Sequence, residues 1–412
     1  MVRTTLRNGR GRDGRLVDLV LEDGRIRTIR PAASGRLAVT ETDLGGRLVL
    51  PLFVNGHAHF DKTFVGAPWQ PHLPGGSLVE RIESEKRQRA GLEATSFDRQ
   101  LLLAQRMIEF GTGAVRAHVD VDEDLGLTGV EDALRLRAIL TGLLDVQIAA
   151  FPQSGIVRGG PAVAKLLDEA LAQGVDVIGG LDPLSLDEDL DGHLDVVFGL
   201  ADRHAVRVDV HLHTTGAPAA AELRAIAERT TALGLAGRVA ISHGYGLGTL
   251  EGRDRDAVPE LLAEAGVAVM TNGPAGPMPA VRALVDLGVE LFAGTDNVRD
   301  AWWPFGTGDP LATARDVAYQ SNFRVDEDLE LALELVGGRA ATALGLGERE
   351  LYEGGPADLV VLDAASAAEA LASPPAGRDV MRAGSWLSTR RVETWSRLPD
   401  APDLGDLAQA GA

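Results

Sequence analysis

The chain has 412 residues, no cysteine, and a formal net charge of −20 from 40 Lys+Arg against 60 Asp+Glu. That length supports one large domain with an ample core plus a smaller appendage, and the missing cysteines exclude disulfides, thiolate metal sites and thiol nucleophiles. The acidity argues against nucleic acid and anionic membranes as partners, since both require a basic surface.

The N-terminal stretch MVRTTLRNGRGRDGR is charged and Gly-rich and lacks the apolar centre of a secretory signal. No segment has the uninterrupted apolar length of a membrane span, so a cytoplasmic protein is expected. LVDLVLEDGRIRTIRP, with apolar runs around Asp-Gly, predicts a hairpin. ADLVVLDA and DVMRAGSWL near the C-terminus have the same β-rich character. Together the two ends predict a small β-sandwich domain, from residues 1–50 and 346–412, flanking a middle region of 51–345.

That middle repeats a short β-rich run followed by a longer Ala/Leu/Glu/Arg-rich stretch. The runs are LVLPLFVNGHAHF, GAVRAHVDV, DVQIAAFPQ, VDVIGGLDP, RVDVHLHT, RVAISHGY, VAVMTNGP and VELFAGTDN. Between them, segments such as GPAVAKLLDEALAQG and AAAELRAIAERTTALG carry apolar residues at helical spacing and stop at Gly. Eight strand–helix units of this size predict an α/β fold, a (β/α)₈ TIM barrel. A doubly wound open sheet would gather its ligands at one switch point instead of around a ring.

A barrel places its active site at the C-terminal ends of its strands. Five of the nine histidines fall in three such tails: His57, His59, His211, His213 and His243. Strand alternation puts His57 and His59 on one face. A lone H-x-H is more often a hydrogen-bonded core feature than a ligand pair. Four strand ends turned to one mouth are a different matter, and His57, His59, His211 and Asp296 form a candidate set for one divalent metal. Imidazole suits zinc, with iron as the alternative.

These motifs resemble the amidohydrolase superfamily, and within it the cytosine deaminase branch. The resemblance runs from about Leu50 to about Asp363 through GHAHFDKTF, VRAHVDV, DVQIAAFPQSGI, VDVHLH, SHGYG and GTDNVRDAWWPFGTGD. It implies one metal, with no carbamylated lysine because VDVIGGLDP ends without lysine. It also implies attack of metal-activated hydroxide on a C–N carbon. Asp296 would be ligand and proton acceptor, and His243 would orient the hydroxide or steady the intermediate. Gln153 matches a glutamine that reads a ring carbonyl and N–H, and Trp302 an aromatic cover for a flat heterocycle. Trp303 and Trp69 are weaker aromatic candidates. Asp61 reads as a supporting residue and Lys62 as a salt-bridge partner.

Two departures set this chain apart. Cytosine deaminases carry H-x-x-E on the fifth strand, where this chain has His211-Leu212-His213-Thr214, and the aspartate after the metal aspartate is Asn297. A hydroxyl cannot supply a proton to a ring nitrogen near neutral pH. Either Asp296 performs all proton transfer, or His213 replaces the missing acid. The expected function is therefore hydrolysis of a C–N bond in a small cyclic amide or heterocyclic amine other than cytosine. The competing reading is a non-catalytic, metal- or ligand-binding relative. Retention of every metal ligand favours the enzyme, and the sequence leaves a homo-oligomer open.

Overall fold

The computed structural model describes residues 3–393 apart from Pro74, Gly75, Pro274 and Glu348; the C-terminal tail assigned above to the small domain's end lies outside the described residues from 394 onward. The N-terminal strands are β1 (Arg3–Arg10), β2 (Leu16–Glu22), β3 (Arg25–Pro31), β4 (Glu41–Asp43) and β5 (Leu48–Pro51). Eight barrel strands follow: β6 (Phe53–His59), β7 (Thr112–Asp120), β8 (Asp145–Phe151), β9 (Val177–Leu181), β10 (Arg207–His211), β11 (Val239–Ser242), β12 (Val267–Thr271) and β13 (Leu291–Ala293). Each of the eight sequence runs contributes one barrel strand. The first run is divided, because LVLP pairs as β5 in the other sheet and only the segment after Leu52 enters the barrel. The chain ends in β14 (Leu359–Leu362), β15 (Arg378–Arg382) and β16 (Ser385–Arg390).

The barrel strands pair in chain order, all in parallel. Every residue of β6, β7 and β9 is buried, as expected for a parallel sheet covered by helices on its outer face. Helices α1 (Leu78–Ala90) and α2 (Ser96–Glu109) follow β6, then α3 (Thr128–Ile139), α4 (Gly160–Ala172), α5 (Leu190–His204) and α6 (Gly216–Ala232) follow the next four strands. Later come α7 (Asp254–Ala265), α8 (Val281–Asp286), α9 (Pro310–Gln320), α10 (Asp326–Glu334) and α11 (Gly338–Leu344). Val54, Ala114, Ala240, Ala268 and Phe292 pack against Ala340, Ala341 and Leu344 of α11, which closes the lower end of the barrel.

Closure of the ring between β6 and β13 brings Asp296 to the histidines. Two glycines permit it. A Cβ on Gly56 would stand 2.3 Å from Phe292, and one on Gly294 would stand 2.3 Å from the His57 backbone nitrogen. The Asp296 N–H then donates to the His57 carbonyl at 2.8 Å, and Asn55 exchanges hydrogen bonds with Thr295. Strands of both termini form one connected sheet in the order β16-β15-β14-β5-β1-β2-β3, with β4 beside β1. Its own core includes Leu6, Leu19, Leu21, Ile26, Val49, Leu359 and Met381. Among the described residues no helix is long and apolar enough to cross a membrane.

Candidate active site

His57 and His59 end β6, His211 ends β10, and Asp296 follows β13 in a left-handed conformation, φ 54°. Their donor atoms converge. The Nε2 atoms of His57, His59 and His211 lie 3.1–3.4 Å apart, and Asp296 Oδ1 is 3.5 Å from His57 Nε2 and 3.3 Å from His59 Nε2. A tetrahedral ion with bonds of about 2.0–2.1 Å has ligand–ligand edges of about 3.3–3.4 Å. The three imidazoles stand at that spacing from one another, and Asp296 stands at it from His57 and His59, so the residues fit a divalent cation. Burial, and then the Lys62 charge, push His59 down to about 3; burial and neighbouring imidazoles hold His211 well below its ordinary value. Neutral imidazole is the form that ligates. Burial alone would raise the Asp296 carboxyl, but His243, His57 and His59 hold it well below the usual range.

A chain of groups outside the four fixes the His57 tautomer. Arg116 Nη1 lies 2.7 Å from Asp209 Oδ2, and Ser242 Oγ donates to Asp209 Oδ1 at 2.5 Å. With its proton so committed, the Ser242 oxygen accepts from His57 Nδ1–H at 3.0 Å, leaving the Nε2 lone pair free for a metal. His118, at the matching level of β7, stacks on His57 at 3.8 Å. Donors of His57, His118 and His211, and of His57, His243 and Asp296, each cluster within 4.8 Å.

Above the cluster opens a cavity of about 1030 Å³ lined by Asp296, Asn297, His213, Thr214, Trp302 and Asp182 among others. His213 stacks on His243 at 4.4 Å. Asp182, in the loop after β9, accepts from the His213 backbone N–H at 2.7 Å and holds Nδ1 at 2.9 Å, so Nε2 is the ring atom left for the cavity. Thr214 also borders the cavity, and its hydroxyl oxygen is buried, with Glu222 of α6 nearby.

Asn297 Nδ2 donates to Asp300 at 2.6 Å, and the other Asp300 oxygen accepts from the backbone N–H groups of Trp302 and Trp303. Burial pushes Asp300 up to about 7. Trp302 packs beside Phe151, Leu181, Leu186 and Ile82, with the Arg81 guanidinium 4.6 Å from its ring centre. Gln153 is buried, its carbonyl bonded to Lys62 and its amide nitrogen to Glu85 of α1. Trp303 and Trp69 are more exposed, at 36% and 61%.

Sequence reading passed over Asp182, Asp209, Glu85 and Glu222. Asp182 directly follows β9, and a count of strand-end carboxylates could have found it; Asp209 lies in the middle of β10, where a charged residue within an apolar run is the signal. Glu85 and Glu222 lie in helices with ordinary polar composition, and only the packed structure reveals that both are buried.

A parallel eight-stranded barrel with imidazoles and a carboxylate at the strand ends defines a barrel hydrolase. The comparison with known proteins agrees: the model of the amidohydrolase family matches residues 111–396, and the chain belongs to that family. It is a hydrolase of carbon–nitrogen bonds other than peptide bonds. The chain is 30% identical over 337 residues to N-isopropylammelide isopropyl amidohydrolase of Pseudomonas sp. (strain ADP), covering 79% of this chain and 82% of that one. The crystal structure of N-isopropylammelide isopropylaminohydrolase from Burkholderia multivorans superposes with a TM-score of 0.88 at 38% identity, covering 94% and 99% of the two chains. That of 5-methylcytosine deaminase from Klebsiella pneumoniae with 5-fluorocytosine gives 0.85 at 28%, covering 95% and 99%.

Proposed function

We propose that this protein removes an alkylamine from a small oxo-heterocycle, with one zinc ion held by His57, His59, His211 and Asp296. Iron is the alternative metal. The observation that carries the reading is the Asp182–His213 pair on the cavity wall, close to His243 and on the same cavity as Asp296, where the resemblance led us to expect a glutamate. The bond broken is the exocyclic C–N bond, and the atoms balance as heterocycle–NHR plus water giving heterocycle–OH plus RNH₂.

A divalent metal in this cluster supplies a Lewis acid that lets water act as a nucleophile near neutral pH. The remaining work falls to the chain's own side chains. Asp296 accepts the proton of the attacking water and returns it to the leaving nitrogen. Asn272 donates to Asp296 Oδ2 at 2.7 Å, which directs the other oxygen to the histidines. His213, its ring fixed by Asp182, exchanges a proton or hydrogen bond with the ring through Nε2. Trp302 covers one face of the heterocycle and Gln153 reads an N–H/C=O edge, while Asn297 contacts the leaving amine. The cavity has room for an alkyl group beyond a single ring, and Trp303 and Phe305 give its rim apolar surface.

The relatives' named substrate, N-isopropylammelide, is the first probe. Zinc-supplemented protein should release isopropylamine from it and contain one metal per chain by elemental analysis, with negligible ammonia from cytosine. Efficient cytosine turnover with no isopropylamine release would overturn the reading.

A further inference from the structure

Helix α1 buries only two of its residues, Ile82 and Glu85. Burying a carboxylate is costly, and a buried ionic network adds little net stability over apolar packing. Glu85 nevertheless has no exposed surface, and it completes a closed ring of polar contacts. Lys62 Nζ lies 3.1 Å from Asp120 Oδ1, and Arg89 Nη1 lies 3.2 Å from Asp120 Oδ2. The same Arg89 nitrogen lies 3.3 Å from Glu85 Oε1. Glu85 Oε2 accepts from Gln153 Nε2 at 2.5 Å, and Gln153 Oε1 accepts from Lys62, which closes the ring. Asp61 braces it from outside through Arg89 at 3.2 Å. Three members come from the ends of β6, β7 and β8, and two from α1.

The ring imposes an order on the amide. A glutamine side chain has nearly the same shape with its oxygen and nitrogen exchanged, so packing alone does not choose between the two. Lys62 can only donate, so the carbonyl must face it. Glu85 as a carboxylate can only accept, so the NH₂ must face it. One carbonyl lone pair and one N–H then remain uncommitted, and the ring fixes which end of the amide carries each.

We infer that Glu85, through this ring, is a positioning residue that locks the orientation of Gln153 and so selects heterocycles presenting N–H beside C=O over those presenting N beside NH₂. The inference rests on the proposed contact between Gln153 and substrate. It makes docking of α1 a condition for reading the ring edge, because the anion and the guanidinium both ride on that helix.

The test compares N-isopropylammelide with the analogue in which both ring carbonyls are replaced by amino groups. Isopropylamine release and dissociation constants by calorimetry are measured for wild type, Glu85→Gln, Glu85→Ala and Gln153→Leu. Metal content and melting temperature serve as folding controls. Glu85→Gln can offer either end of its own amide, so the turned Gln153 amide, opposed by two partners in the wild type, is then opposed by Lys62 alone. The expected result is a fall of about tenfold or more in the preference for the carbonyl probe, carried by KM and Kd with kcat largely kept. Equal weakening toward both probes in Glu85→Gln would reduce Glu85 to an anchor of α1 and overturn the inference. An unchanged preference in Gln153→Leu would instead remove Gln153 from the substrate contact, and the inference with it. Wild-type protein that binds the probes but releases no amine would overturn the proposed function alone, with the Kd ratio then deciding the inference. Binding of neither probe would overturn both.

Discussion

The two sides of the barrel mouth are built on different principles. On the β6/β10/β13 side, His57, His59, His211 and Asp296 are all buried, with the histidines on strands and the carboxylate three residues past the end of β13. Their positions follow from backbone register, from the two glycines that let β6 and β13 meet, and from the Ser242–Asp209–Arg116 chain behind His57. Over β8, β9 and the end of β10, which the two sides share, Gln153, Asp182, His213 and Thr214 stand beyond the strand ends, where helices and loops hold them. There the recognition groups are set by one or two side-chain partners: Lys62 and Glu85 for Gln153, Asp182 for His213. The rigid side suits chemistry common to many substrates. The side held by partners suits recognition, since exchanging one partner re-aims one group without disturbing the barrel.

If that division is correct, the largest losses come from the rigid side. Asp296→Asn should lower kcat on N-isopropylammelide by more than about 10³-fold, because it removes both a ligand and the proposed base. His57→Ala should lose the metal by elemental analysis while its circular dichroism and melting remain close to wild type, since the ligand cluster lies apart from the apolar core. A metal content that stays at one per chain in His57→Ala would break the comparison at its root.

The rigid side was also the legible one. H-x-H at the end of a β-rich run, histidine on the fifth run and aspartate after the eighth are local patterns, and strand periodicity points them to one mouth. All eight barrel strands could be read for the same reason. The other side was legible only at its strand-end residues, such as His213 and Gln153. Their partners come from elsewhere in the chain: Glu85 is 68 residues before Gln153 and Asp182 is 31 before His213. Nothing in the helix containing Glu222 marks that glutamate as buried, because its neighbours carry the same Ala/Glu/Arg composition as an exposed face.

Intermediate effects belong to the recognition side. His213→Ala should cost about 10²-fold in kcat/KM, the lower range for a positioned proton donor or acceptor. Asp182→Asn should produce much of the same loss, because the ring is then free to turn and to change tautomer. Thr214→Ala should stay within about threefold, since its hydroxyl is buried and cannot supply a proton near neutral pH. A Thr214→Ala loss as large as that of His213→Ala would return Thr214 to the substrate.

The smallest expected effect concerns Glu222 and is read in stability. This carboxyl has no exposed surface, accepts from the Leu184 backbone N–H at 3.0 Å, and faces Thr214, so it ties the loops after β9 and β10 to α6. Burial pushes it up to about 7, from an ordinary value of 4.5. A carboxyl raised on folding favours the folded state while protonated, so its contribution is full below pH 4.5 and is lost as pH rises through about 7. Glu222→Gln keeps an acceptor for Leu184 and offers its NH₂ to the Thr214 oxygen, without a charge to bury. The variant should melt close to wild type at pH 5 and above it at pH 8, by the equivalent of about 1–3 kcal/mol. Melting curves across that range check the claim. A gap independent of pH would mean that Glu222 stays ionised in the fold, and a gap that opens toward acid would mean that the groups around it stabilise the anion.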